Sequence, residues 1–209
     1  MRRFLIIFAT VFIFTGLLNA QSISIGVTGG LTTITGPDAL TDDIENGGMG
    51  FGTHPHYGLK GKFKLPVIPL TITGQVLYAS FSGEGEYSIV PGTNPVSFET
   101  ESSLLTFGVG AEYSFIPGPI SPYLAVDLFY ANSGETKLSS DTQGANFEQT
   151  FDGENRTGIG VGAGLDFGLL PMIDVDVSAK YNINNLIGKE EGEETFSTVN
   201  FTATVYFGF

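Results

Sequence analysis

Charged residues recur at every second position in two short stretches of the chain. Lys60, Lys62 and Lys64 form the first stretch, and Asp174 and Asp176 form the second. Alternate residues of an extended strand point to the same side, so each stretch would present its charges on one face. Facing each other across a narrow interior, these groups could carry a cation or a proton, or they could pair and fill the space. Because buried charges require partners, we favour the pairing interpretation.

Two histidines offer a second kind of chemistry. His54 and His56 flank a proline and follow several carboxylates between residues 38 and 45. Imidazole and carboxylate groups are ordinary ligands of zinc and copper, and a histidine beside a serine and an acid can catalyse hydrolysis. The two-residue spacing is weakly specific, and the chain has no Gly-x-Ser-x-Gly sequence. We therefore expect both histidines in a solvated loop, and we predict no catalytic residue, metal site or cofactor.

Eight segments alternate apolar and polar residues and are predicted as strands. They lie near 22–34, 57–65, 70–82, 103–115, 123–131, 158–168, 173–184 and 198–209. The connections alternate between long polar segments and short uncharged ones that contain proline. The long ones are about 35–56, 83–102, 132–157 and 185–197, and the short ones are 66–69, 116–122 and 169–172. No amphipathic helical segment is indicated after residue 20.

Sorting these strands by parity places every charged residue on one face, while the other face is apolar with aromatic residues near both ends. We assign the charged face to the interior and predict a network of ion pairs there. Its members are Lys60, Lys62, Lys64, Glu112, Asp127, Asp166, Asp174, Asp176 and Lys180. Glycines of the sixth strand share the inward parity, from Gly158 to Gly168. We expect the lysines of the second strand to reach across into the space that these glycines leave.

The remaining features concern the chain ends and the net charge. Residues 1–20 have the pattern of a signal peptide, with Arg2 and Arg3 before an apolar run, which leaves 21–209 as one domain. A formal net charge of −13 argues against binding to nucleic acid. Carboxylates in the second and fourth long connections could gather Ca²⁺ or Mg²⁺, although we favour a solvated acidic rim.

The pattern over residues 21–209 resembles the small eight-stranded outer-membrane barrels of Gram-negative bacteria, the OmpA-barrel/OmpX-like group of the "porin family". The resemblance implies an all-β, antiparallel up-and-down transmembrane barrel with four long external loops and three short periplasmic turns. It also implies a monomer in the outer membrane, in contact with lipid and with lipopolysaccharide. Ca²⁺ or Mg²⁺ gathered by the loop carboxylates could bridge to the lipopolysaccharide phosphates. The last strand resembles the signal that such barrels present to the barrel-assembly machinery, carried here by Phe201, Val205, Phe207 and Phe209.

The sequence is compatible with three functions. The first is a structural or surface-interaction role, in envelope integrity or adhesion, with the lumen plugged by ion pairs. The second is a narrow porin for small solutes or ions, and the third is a lipid-modifying enzyme at the rim. A soluble lipocalin-like barrel is the alternative fold. We favour the first function because side chains just fill the interior of an eight-stranded barrel.

Overall fold

The computed structural model describes residues 22–66, 68–87, 96–116, 118–140, 147–170 and 172–208. The predicted signal peptide (1–20), Phe209 and the segments 88–95 and 141–146 of two long connections lie outside the described residues. Within them, the chain forms ten strands, one short α-helix and one 3₁₀ turn. No helix in this part of the chain is long and apolar enough to cross a membrane.

Eight of the strands form a closed antiparallel barrel, which confirms the predicted architecture. Each barrel strand pairs with the next one along the chain, and the last pairs with the first. The barrel strands are β1 (Ser22–Gly36), β2 (Thr53–Lys64), β3 (Leu70–Tyr87), β4 (Val96–Ser114), β5 (Ile120–Ser133), β8 (Asn155–Leu170), β9 (Ile173–Ile187) and β10 (Ser197–Gly208). The two others, β6 (Thr136–Ser140) and β7 (Phe147–Phe151), form a hairpin at one end of the barrel. We call that end, with its long connections, the loop end, and the opposite one the turn end.

The third long connection was predicted as a loop, and this was wrong. It contains the hairpin β6–β7, and β6 pairs with β4 beyond the point where β5 leaves it. Each of these strands has only five residues, too few to stand alone in water. The strand β6 is stabilised by pairing with β4, and β7 by pairing with β6. A local pattern does not reveal these pairings.

The strands β3 and β4 are longer than predicted, because their alternation of polar and small or apolar residues continues past the barrel rim. They pair without a break as far as Tyr87 and Val96. The first long connection also departs from the prediction. It contains a single helical turn, α1 (Asp38–Thr41), which starts after Pro37 and is too short to show an amphipathic period.

Side chains alternate between the lumen and the outer surface along each barrel strand. On β1, for example, Val27 is 63 % exposed, whereas Thr28 is 2 % exposed and its hydroxyl accepts a hydrogen bond from Thr204. The outer face is apolar, and much of the interior is polar. Contiguous apolar surface of this extent is rare on water-soluble monomers, so the outer face requires an apolar environment.

Candidate functional site

The lumen near the turn end is filled by charged side chains from opposite walls. Lys60 Nζ lies 2.8 Å from Glu112 Oε1 and 3.6 Å from Asp176 Oδ1. Lys62 Nζ lies 3.2 Å from Asp176, 3.5 Å from Asp166 and 3.6 Å from Glu112. Except for Asp166, whose side chain is 12 % exposed, these side chains are at most 3 % exposed. Ion pairs therefore span the lumen from β2 to β4, β8 and β9.

Two further groups complete this ionic layer. Lys64 lies at the mouth of the turn end, 2.9 Å from Asp174 and 3.2 Å from Asp166, and its side chain is 39 % exposed. Nearer the loop end, Lys180 pairs with Asp127 at 2.5 Å, with both side chains buried. The structure thus brings all nine residues of the predicted network within 4 Å of an opposite charge.

The strand register explains why Lys62 is needed between two carboxylates. Asp166 on β8 stands directly opposite Asp176 on β9, and like charges in a cross-strand pair destabilise a sheet. Lys62 reaches both of them from the other side of the lumen. The lysine therefore neutralises a repulsion that the register of β8 and β9 creates.

Two tyrosines belong to the ionic layer and were not among the predicted residues. Tyr123 donates a hydrogen bond to Asp176 Oδ2 at 2.6 Å, and the ammonium group of Lys62 lies 4.4 Å from the ring centroid of Tyr206. A ring face attracts a cation, most strongly where water is excluded. Both tyrosines have inward parity, so parity could have found them.

The glycines of β8 make room for different side chains than expected. A Cβ at Gly158 would overlap the ring of Phe129, and a Cβ at Gly164 would overlap the hydroxyl of Tyr123. At Gly162 it would lie 2.6 Å from Lys180 Cγ. The nearest side chains that use this space therefore belong to β5 and β9, whereas the lysines of β2 end on carboxylates.

The lumen near the loop end is closed by an apolar cluster, which we call the apolar cap. Its buried members are Ile34, Phe51, Ala79, Phe81, Leu104, Phe129 and Ala131, with Leu40, Met49 and Phe196 packed against them. The segment after α1 folds inward to supply Phe51, and it is held there by a 2.6 Å hydrogen bond from Thr100 Oγ1 to Met49 O. Between the cap and the ionic layer lies a cavity of about 30 Å³, which has room for only a few water molecules.

The histidines do not occupy the solvated loop that was predicted for them. Both belong to β2, and His56 is 3 % exposed inside the lumen. Its Nδ1 lies 2.9 Å from the hydroxyl of Thr32 and its Nε2 lies 3.1 Å from that of Thr202. The absence of a side chain at Gly30 leaves the space for this ring. Across the described residues, no group of three or more His, Cys, Asp or Glu side chains is placed to hold a metal ion.

The fourth long connection is tied to the barrel rim by polar contacts. Arg156 at the start of β8 lies 3.1 Å from Glu193, and Asn185 donates a hydrogen bond to the same carboxylate at 2.6 Å. Partial burial opposes ionisation of Glu193. The hydrogen bonds from Asn185, the Glu190 backbone and Arg156 nevertheless hold its pKa below the usual value. This part of the acidic rim is thus an ordered structure.

The family of the chain explains a barrel with an apolar outer face and a polar interior. The family model described as "Outer membrane protein beta-barrel domain" matches residues 7–209. The chain belongs to this family. The outer-membrane barrel therefore resides in the bacterial outer membrane, with its turn end toward the periplasm and its loop end outside. No curated protein matches the chain in sequence.

Solved structures agree with the fold of this outer-membrane barrel. A major outer membrane protein from Thermus thermophilus gives a TM-score of 0.58 at 13% identity, over 91% of this chain and 100% of that one. Neisserial surface protein A gives a TM-score of 0.50 at 18% identity, over 91% and 97% of the two chains. The outer membrane protease OmpT from Escherichia coli gives a TM-score of 0.46 at 12% identity, over 90% of this chain and 94% of that one. Such likeness concerns the fold alone, so activity must be argued from the barrel's own residues.

Proposed function

We propose that this protein is a non-conducting, non-enzymatic outer-membrane barrel with a structural or surface-interaction role, carried by its acidic external loops. One observation supports this above all: the lumen is filled at two levels, by the ionic layer and by the apolar cap. A solute would have to displace both layers to pass. A hydrolytic site at His56 is not proposed, because both nitrogens of this buried ring face threonine hydroxyls.

Conductance measurements on refolded protein in planar lipid bilayers test the closed lumen. We expect no stable current above the lipid baseline, in samples whose folding is verified by heat-dependent gel migration. Stable steps from the unmodified protein, altered by Lys62→Ala or Asp174→Ala, would overturn the proposal in favour of a narrow porin. Val109→Ala is the matched control, because this side chain is on the outer face and its loss should leave any lumenal current unchanged.

The surface role rests on the charge of the external loops. Glu190, Glu191 and Glu194 are exposed beside the ordered contact of Glu193. We propose that such carboxylates meet lipopolysaccharide phosphates through Ca²⁺ or Mg²⁺, which prefer oxygen ligands, and that the barrel acts as a monomer.

Thermal unfolding in vesicles that contain lipopolysaccharide, with and without Ca²⁺, tests this contact. We expect Ca²⁺ to raise the unfolding temperature, and the triple substitution of these three glutamates by glutamine to remove most of the increase. The matched control carries the same change of charge in the third long connection, at the exposed Glu135, Glu148 and Asp152, which the sequence does not single out for ion binding. An equal Ca²⁺ effect in the unmodified and loop-four variants would refute a bridging role for the fourth loop.

A further inference from the structure

The three short turns expose large apolar side chains at the periplasmic end of the barrel. Turns in water usually combine Gly or Pro with Asn, Asp or Ser, but the segments 65–69, 116–119 and 169–172 contain no Asn, Asp or Ser and no charged residue. The apolar side chains in and next to these segments are 50–64 % exposed: Ile68, Ile116, Ile120, Leu169, Leu170 and Met172. Exposed apolar surface of this kind marks a contact with a partner or a membrane.

The outward apolar face ends differently at its two ends. Toward the loop end it stops at Tyr78 on β3 and at Tyr130 on β5, and the next outward positions are Ser80 and Asn132. Toward the turn end no polar residue follows, and the face continues from Phe115 into the turn. The turns are therefore continuous with the surface that lies in the membrane.

The height of the apolar face supports the same conclusion. Leu105 is paired with Tyr78, and Tyr113 lies eight residues further along β4. With a rise of about 3.3 Å per residue and a strand tilt of roughly 40°, these eight steps cover about 20 Å of membrane. The apolar band of such barrels is about 25 Å tall. Phe115, two residues further along, completes this height, so the exposed turn side chains that follow it lie at the boundary of the apolar band.

The backbone of the turns limits how deep they can lie. Several of its groups are hydrogen-bonded: Leu70 N donates to Ile68 O at 2.7 Å, and Gly208 N donates to Met172 O at 2.9 Å. Irregular backbone is not tolerated in the hydrocarbon core, where polar groups lack partners. The boundary between headgroups and acyl chains fits both the apolar side chains and the partly paired backbone.

We infer that the three short turns form a lipid-binding surface that rests in the headgroup layer of the inner leaflet rather than in periplasmic water. The occupant of this surface is phospholipid, because the turns extend an apolar face that already lies in the membrane. This inference is independent of the closed lumen.

Single tryptophans report the depth of the turns directly, because the chain contains no tryptophan. The test variants are Met172→Trp and Ile116→Trp. Val109→Trp is the control at mid-membrane, and Phe151→Trp is the control in water, on the exposed strand β7. Each variant is refolded in phosphatidylcholine nanodiscs, which leave both faces open to buffer, and folding is verified by heat-dependent gel migration. Quenching is then measured with aqueous iodide and with lipids brominated at different depths.

We expect both turn variants to be quenched most by bromine placed near the headgroup, and several-fold less by iodide than Phe151→Trp. Val109→Trp should be quenched most by bromine near the chain ends. Iodide quenching equal to that of Phe151→Trp would overturn the inference, and so would strongest quenching by the deepest bromines. If Met172→Trp fails to fold, Ile120→Trp takes its place, because Ile120 is also exposed next to a turn.

Discussion

The pair Lys180–Asp127 offers the sharpest test of how the lumen is stabilised. These two groups approach to 2.5 Å, and their side chains are 7 % and 2 % exposed. The other carboxylates near the lysines of β2 have at least one lysine within 4 Å, and Asp166, Asp176 and Glu112 have two. Asp127 has one close ammonium group, that of Lys180. Removing one partner therefore leaves the other buried without its counter-charge.

A double-mutant cycle with Lys180→Met and Asp127→Asn measures this coupling. Breaking a buried pair from one side costs about 3–5 kcal/mol, whereas removal of both charges is often close to neutral. We expect each single variant to lose about 3–5 kcal/mol of unfolding free energy. The double variant should lose less than either single one. The assay is reversible urea unfolding of the barrel in lipid vesicles, followed by tyrosine fluorescence and gel migration.

Matched controls separate this effect from loss of charge in general. Lys137→Met and Glu148→Gln make the same kind of change at exposed positions of the hairpin β6–β7. Ion pairs at such a surface contribute about 0–1 kcal/mol to the free energy of unfolding. Both should leave the midpoint almost unchanged. If the losses of Lys180→Met and Asp127→Asn simply add in the double variant, the two charges do not stabilise each other, and the reasoning is refuted.

Three other predictions concern the cap, the glycines and the fourth loop. Phe51→Ala should cost about 3–5 kcal/mol, because it removes a buried aromatic ring, yet bilayer recordings should stay silent while the ionic layer persists. Gly164→Ala should lower the urea midpoint by displacing Tyr123 from Asp176, whereas Gly61→Ala, with no atom closer than 3.9 Å, should not; equal midpoints would contradict the packing argument. The lowered pKa of Glu193 stabilises the fourth loop above the usual glutamate pKa of about 4.3, and this is lost as pH falls through the lowered value. The protection factors of the amides of residues 188–196, which correct for the pH dependence of the intrinsic exchange rate, should therefore fall at acid pH in the unmodified protein, and Arg156→Ala should show low protection already at neutral pH.

The barrel and its ionic layer could be predicted because both depend on parity. Alternate side chains of a strand point to the same face. Lys60 therefore had to share a face with Lys62 on β2, and Asp176 with Asp174 on β9. The lipid face excludes charge, which decided that this face is the lumen. Strand count and short turns then brought β2 opposite β8, where Lys62 meets Asp166.

The cap could not be predicted, because its members come together through contacts between distant segments. Phe51 follows the glycine-rich stretch 47–50 and has no periodic pattern around it. It reaches the lumen only because α1 and Thr100 hold its segment against the rim. The position of His56 depends in the same way on two threonines from β1 and β10. Phe129 is different: it has inward parity, and an apolar residue there is a signal that the sequence does carry.

The ionic layer is sensitive to hydration, and the apolar cap is sensitive to apolar ligands. Each layer keeps the lumen closed where the other could open. An ionic layer open to water could hydrate, and at the turn end Lys64 is already 39 % exposed. The apolar cap excludes water from the loop side, and the lower local dielectric strengthens the attraction within the pairs beneath it. An apolar cap alone could give way to a ligand that binds the aromatic cluster, but the ion pairs would still span the lumen below it. Opening a path therefore requires two independent changes at once. For this reason we expect that an interaction at the external loops alters the cap without opening the membrane, in keeping with the surface role proposed above.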